Sequence, residues 1–132
     1  MFATPATPVT LTVPAEPSVV RIVRLIVSSL AADLNFDVDE IEDLRIAADE
    51  LLSTLITGAS VGNPVRVTFS NEGGVVALRA STQASRPGPI ALDPLASQIV
   101  AALVDSFDLN YSESTITVGF RSRHGGATGR DG

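Results

Sequence analysis

One stretch constrains what this chain can fold into: 39–59, reading DEIEDLRIAADELLSTLITGA. Ile41, Leu44, Ala48, Leu51 and Leu55 recur at three- and four-residue steps, which places them on one stripe of an α-helix facing a core. Asp39 is positioned to cap this helix, Glu40, Glu42 and Asp43 crowd its positive end, and Gly58 stands where a helix usually stops. Away from that stripe, Asp43, Ala47, Glu50, Thr54 and Thr57 share a second face. A polar site on this helix has to be sought there.

The 132 residues suit one domain that buries roughly two-thirds of its unfolded surface. With 45% hydrophobic residues and no Trp, the core must be built from Val, Leu, Ile and Ala with a few Phe. Cys is absent and the single His, His124, lies in a Gly-rich tail, so thiolate chemistry, a metal centre and a His-based triad are not expected. There is no Lys, which removes the phosphate-binding Lys of P-loop proteins and Schiff-base chemistry. A net charge of −6 argues against direct nucleic-acid binding. No apolar run is long enough to span a membrane and the start resembles no signal peptide, so a cytoplasmic location is expected.

Along the chain, 1–8 reads as a flexible N-terminus. Residues 9–13 alternate as a strand, and Ser18 can cap a helix running to Asp33. That helix should bury Val19, Ile22, Val23, Ile26, Val27 and Leu30 while exposing Arg21, Arg24 and Ser28. After the central helix, 65–70 and 75–80 form a hairpin about Asn71, Glu72, Gly73 and Gly74. A loop over 81–92 carries two Pro and leads to a third helix that starts at Asp93 or at a third Pro, Pro94. Its inward stripe is Leu95, Ile99, Ala102, Leu103 and Phe107, with an end near Asp108. A last strand follows over 115–121, and 122–132 reads as a disordered tail. This order predicts an α/β (α+β) two-layer sandwich spanning 9–121, with three helices on one face of a four-stranded, mostly antiparallel sheet.

The runs VPAEPSVVRIVRLIVSSL and DVDEIEDLRIAADELLSTLITGA, followed by a hairpin, a loop, a helix and STITVGF, resemble the bacterial anti-sigma factor and serine-protein kinase group. That group belongs to the GHKL superfamily, whose histidine-kinase-like (Bergerat-type) ATPase domain also occurs in histidine kinases and gyrase. The resemblance covers about 9–121. It implies a helix carrying a Glu that orients or activates the attacking group and, four residues later, an Asn that helps hold Mg²⁺ on ATP. Glu50 keeps the first position, and Thr54 stands at the second, a poorer ligand for a hard cation. The resemblance further implies an adenine-binding Asp at the end of the second hairpin strand, where Thr82 stands, and a Thr near adenine in the last strand, matched by Thr115. No D-x-G-x-G is present, and the segment before the third helix, Ile90 to Pro94, lacks the glycines that wrap phosphates.

By the same resemblance Arg21 falls where an Arg contacts a sigma factor or its antagonist, and Arg24 lies one turn on. The expectation is an anti-sigma-factor-like regulator, homodimeric as in that group, that binds a sigma factor and/or an anti-sigma antagonist. Its nucleotide site, marked by Thr54, Thr82 and Thr115, should be lost or weakened, so that no cofactor is expected unless ATP and Mg²⁺ still bind. Two alternatives stand beside it. One is an active ATP-dependent protein-serine/threonine kinase with Glu50 as base, and the other a small interaction domain unrelated to sigma factors.

Overall fold

The computed structural model describes residues 8–60, 62–86, 88 and 90–125. In chain order it contains β1 (Val9–Pro14), α1 (Val19–Asp33), α2 (Val38–Gly58), β2 (Pro64–Glu72), β3 (Val75–Gln83), α3 (Pro94–Leu103), β4 (Ser106–Ser112) and β5 (Thr115–Arg123). The strands make one antiparallel sheet in the order β1-β2-β3-β5-β4. The helices cover one face of it, with α2 packed on α1, α3, β3 and β5.

Strand alternation sorts the sheet into two sides. Val65, Val67, Phe69, Val76, Leu78, Ala80, Ile116, Val118 and Phe120 point at the helices and are buried. Arg66, Arg79, Ser81, Thr117 and Arg121 occupy the alternate positions and form the opposite, helix-free side. An antiparallel sheet tolerates this arrangement because one face can remain solvated.

The central helix forms as its periodicity predicts, with Leu44, Ala48, Leu51 and Leu55 buried and Ile41 partly so. Ala47 and Leu52 are buried as well, widening the apolar face. Its start differs from expectation: the N-cap is Asp37 rather than Asp39. The Asp37 carboxylate accepts from the Glu40 backbone N–H at 2.7 Å, and Glu40 accepts in return from the Asp37 N–H at 2.8 Å. This reciprocal pair satisfies two of the orphan donors at the helix start.

Helix α1 is turned relative to the expected stripe. Val20 and Ala31 join Val19, Val23 and Val27 in the core, whereas Ile22 is 44% exposed. Ser18 precedes α1 without a side-chain capping bond.

The largest correction concerns the sheet, which has five strands rather than four. Helix α3 ends at Leu103, and Phe107, expected on its inward stripe, lies in β4 opposite Phe120. The segment SFDLNYS alternates Phe107, Leu109 and Tyr111 with polar residues, so it satisfies a strand's period, and pairing with β5 decides the outcome. β5 itself runs two residues beyond the expected end, to Arg123, and the expected tail therefore begins inside a strand. The flexible stretch expected over 1–8 lies, apart from Pro8, outside the described residues, as does 126–132 of the tail.

Both hairpins close with two residues in the left-handed region, the geometry that matches strand twist. The β2–β3 turn uses Gly73 and Gly74, which adopt it freely, but β4–β5 uses Glu113 (φ 51°) and Ser114 (φ 69°). L-residues pay for that conformation. Replacing the pair with Asn-Gly should raise stability by about 1 kcal/mol. Urea unfolding of the double variant with an unchanged or lower midpoint would contradict this reading of the turn.

Candidate functional site

The exit of α2, the end of β3 and the β4–β5 turn converge at one end of the sheet. Ser60 donates from its backbone N–H to Gln83 O at 2.8 Å and from its hydroxyl to Ala84 O at 2.7 Å. The Ser85 N–H reaches Gly58 O at 2.9 Å, and the Ala84 N–H reaches Ser114 O at 2.8 Å. These bonds stitch the residues after β3 to the end of α2, so that segment's backbone is already committed.

Beside this seam lies a cleft of about 390 Å³ lined by Thr57, Gly58, Ser85, Arg86, Ile90 and Ile116, among others. Gly58 is needed for close approach: a Cβ there would stand 2.8 Å from Ile90 Cδ1 and 3.0 Å from Ile116 Cδ1. The Ile90 side chain thus lies directly on the last turn of α2.

The residues singled out from the sequence fall around this cleft without lining it. Glu50 and Thr54 are half-buried on adjacent turns of α2, and the Thr54 hydroxyl donates to Glu50 O at 2.9 Å, an i−4 bond within the helix. Thr82 faces the helices, is 4% exposed, and donates its hydroxyl to Pro64 O at 2.9 Å. Thr115 pairs with Gln83 in the β3–β5 register and points to the other side of the sheet, where its hydroxyl accepts from Gln83 Nε2 at 3.2 Å. Glu50 and Thr54 are therefore brought together, while Thr82 and Thr115 are separated by the sheet itself.

The start of α3 is also filled. Asp93 caps it, its carboxylate accepting from the Ala96 N–H at 2.8 Å, and Pro94 contributes no N–H. The positive end of this helix dipole already holds an anion from its own chain.

On α1, Arg21 is exposed. Arg24 instead faces α2, where its Nε lies 3.3 Å from Asp49 Oδ1. The pair is off hydrogen-bond alignment, so the contact is chiefly Coulombic. Leu25, 66% exposed, and Ile22 accompany Arg21 on the outward side of the helix.

A polar cluster that sequence reasoning missed joins the start of α2 to the end of β5. Glu40 is 8% exposed, and its Oε2 accepts from the Gly125 N–H at 3.0 Å. His124 Nδ1 lies 3.3 Å from Glu40 Oε1, and its ring packs 5.2 Å from that of Phe36. The D-x-x-E spacing of Asp37 and Glu40 was a readable capping signal, but nothing local pointed to His124.

Among solved structures the chain resembles the crystal structure of the RsbU and RsbW domains of Rv1364c from Mycobacterium tuberculosis, with a TM-score of 0.69. The fold is that of the histidine-kinase-like ATPases. Identity is 19%, and the match covers 90% of this chain and 33% of that one, so the chain spans about a third of its structural neighbour. No family model matches the sequence. No curated protein matches it either. Within the histidine-kinase-like fold, α2 is the helix that carries Glu50 and Thr54, and no helix among the described residues is long and apolar enough to cross a membrane.

The Glu40 cluster predicts an acid-sensitive contribution to stability. Burial raises the carboxyl pKa, but backbone N–H groups of Asp37 and Gly125 and the His124 imidazole outweigh it, leaving a net value below the ordinary 4.5. A carboxyl whose pKa is depressed by folding stabilises the protein above its unfolded pKa, and this is lost as pH falls through the folded value. At neutral pH Glu40→Gln should cost about 1 kcal/mol, and the gap to wild type should shrink as the pH drops below that ordinary value. A gap in chemical denaturation that stays constant across this range would show that the cluster does not couple to protonation.

Proposed function

We propose that the chain is an anti-sigma-factor-like regulator that acts by binding a sigma factor and/or an anti-sigma antagonist, with its nucleotide site lost or weakened. The observation that carries the reading is what occupies the start of α3 and the last turn of α2. Asp93 occupies the helix start where phosphate would need donors, and Ile90 lies on Gly58. The Thr54 hydroxyl proton is directed into its own helix rather than a ligand. These residues do not fit a magnesium–nucleotide complex, because an anion meets a carboxylate and the cation meets no amide ligand. The histidine-kinase-like fold and its structural neighbour, which comprises RsbU and RsbW domains, support a place in partner switching.

In this reading the contact surface is the outward side of α1. Arg21 supplies a planar donor fork, a residue type enriched at the energetic centre of protein interfaces, and Ile22 and Leu25 give it an apolar border. Arg24 contributes mainly by fixing α1 against α2 through Asp49. A homodimer and a cytoplasmic location belong to the same proposal.

The kinase reading retains one favourable observation, the half-buried Glu50 carboxylate, which has no hydrogen-bond or ion-pair partner among the described residues. The two readings separate cleanly. Calorimetric titration with ATP and Mg²⁺ should give no saturable heat, and no phosphate should pass from labelled ATP to a Ser of an antagonist. Transfer that disappears in Glu50→Ala would replace the binding reading with the kinase.

For the contact surface, Arg21→Glu and Leu25→Asp should each weaken binding to the cognate sigma factor or antagonist by at least about 30-fold, the scale of an interface hot spot. Thermal midpoints should stay near wild type, because both side chains are exposed. Unchanged affinity in both variants, measured across the cell's sigma factors and antagonists, would remove α1 as the contact.

A further inference from the structure

The helix-free side of the sheet carries a pattern that the α1 contact does not use. The register places Thr10, Thr68, Arg79, Gly119 and Asp108 in one row across all five strands. The neighbouring row on one side runs Thr12, Arg66, Ser81, Thr117 and Asn110. The row on the other side runs Ser70, Ala77, Arg121 and Ser106. Arg66, Arg79 and Arg121 thus sit on successive strands β2, β3 and β5, each one row further along.

With strands about 4.8 Å apart and same-face residues about 6.8 Å apart, this diagonal spaces the three guanidinium-bearing positions by roughly 8 Å. Ala77 lies in a shallow depression of about 440 Å³ beside it, bordered by Arg79, Arg121, Thr68, Ser70 and Asp108. In the Arg79 row Gly119 lets β5 approach β3 closely, since a Cβ would meet Leu78 O at 2.8 Å.

The charge on this face runs against that of the whole chain. The protein carries −6, yet the charged residues at these strands' outer register positions are Arg66, Arg79, Arg121 and Arg123 against Asp108 and Glu72. Asp108 reaches Arg79 only at 3.9 Å, with both side chains more than half exposed, and Arg66 and Arg121 have no ion-pair partner among the described residues. Hydroxyls of Thr10, Thr12, Thr68, Ser70, Ser81 and Thr117 fill the ground between the cations.

We propose that this face docks an extended acidic segment of a protein partner, with Arg66, Arg79 and Arg121 pairing with its carboxylates. An extended chain presents alternate side chains at about 6.8 Å, close to the spacing of the Arg diagonal, so alternating acids can meet successive arginines. The Thr and Ser rows provide donors and acceptors for the segment's remaining polar groups. A nucleic acid fits less well. Among the described residues no aromatic holds an outer strand position on which bases could stack, since Phe69, Phe107, Tyr111 and Phe120 all have the helix-facing parity, and the chain's overall charge repels a long polyanion.

The test uses the full chain and a labelled short peptide alternating Glu and Thr, followed by fluorescence anisotropy at low and at physiological salt. The peptide should bind saturably, and the Arg66→Ser, Arg121→Ser double variant should bind at least about tenfold more weakly. The variant's thermal midpoint checks that the fold is kept. Arg21→Glu serves as the control and should leave peptide binding unchanged, which separates this face from the α1 contact. Equal peptide affinity in the double variant and wild type would overturn the proposal. So would tighter binding of a single-stranded oligonucleotide of equal charge.

Discussion

The packing of α2 against both neighbouring helices and the sheet is the constraint on which the rest of the molecule depends. Leu44, Ala47, Ala48, Leu51, Leu52 and Leu55 are all buried, and at 100° per residue they span an arc of roughly 140°. Ala47 and Ala48 are the small members of that arc, and they keep the helix close to its neighbours without opening voids. Glu50 and Thr54 lie beside that arc, half-buried. The residues that follow β3 are held to the end of α2 by backbone bonds from Ser60 and Ser85, and the Ile90 side chain lies on Gly58.

The apolar stripe of α2 could be read from its spacing because period and burial agree from Ile41 to Leu55, about four turns. The same reasoning placed the wrong edge of α1 in the core, since Val20, Ile22 and Val23 are all apolar and spacing alone cannot choose between adjacent arcs. Contact with α2 and the sheet makes the choice, burying Val20 and leaving Ile22 outside. The missed strand β4 has a related cause. Leu103 and Phe107 sit four apart as a helix would place them, while Phe107, Leu109 and Tyr111 sit two apart as a strand would. Only the ladder with β5, a partner beyond the local window, resolves that ambiguity in favour of the strand.

For the candidate site, residue types were legible and directions were not. Thr82 and Thr115 both looked available to a nucleotide, yet strand parity sends them to opposite sides of the sheet. The absence of glycines before α3 could be seen in the sequence, but what occupies their place could not. Asp93 turns the helix start into a self-satisfied cap, and Ile90 uses the gap left by Gly58. Long-range pairs such as His124 with Glu40 leave no trace in local pattern at all, because they join residues brought together only by the completed sheet.

The distribution of charge ties these features together. Acids gather on α2 and its cap, with Asp37, Asp39, Glu40, Glu42, Asp43, Asp49 and Glu50 in one element, whereas Arg66, Arg79, Arg121 and Arg123 occupy strands on the far side of the sheet. The two-layer architecture therefore separates the charges by the thickness of the domain, and a net charge of −6 conceals a dipolar surface. A partner meeting such a molecule is oriented before it makes contact, with cationic surfaces drawn to the helix layer and acidic ones to the sheet. Arg21 and the sheet cations then present donor forks on different faces, so the helix layer and the sheet layer can each engage a protein without competing for the same residues.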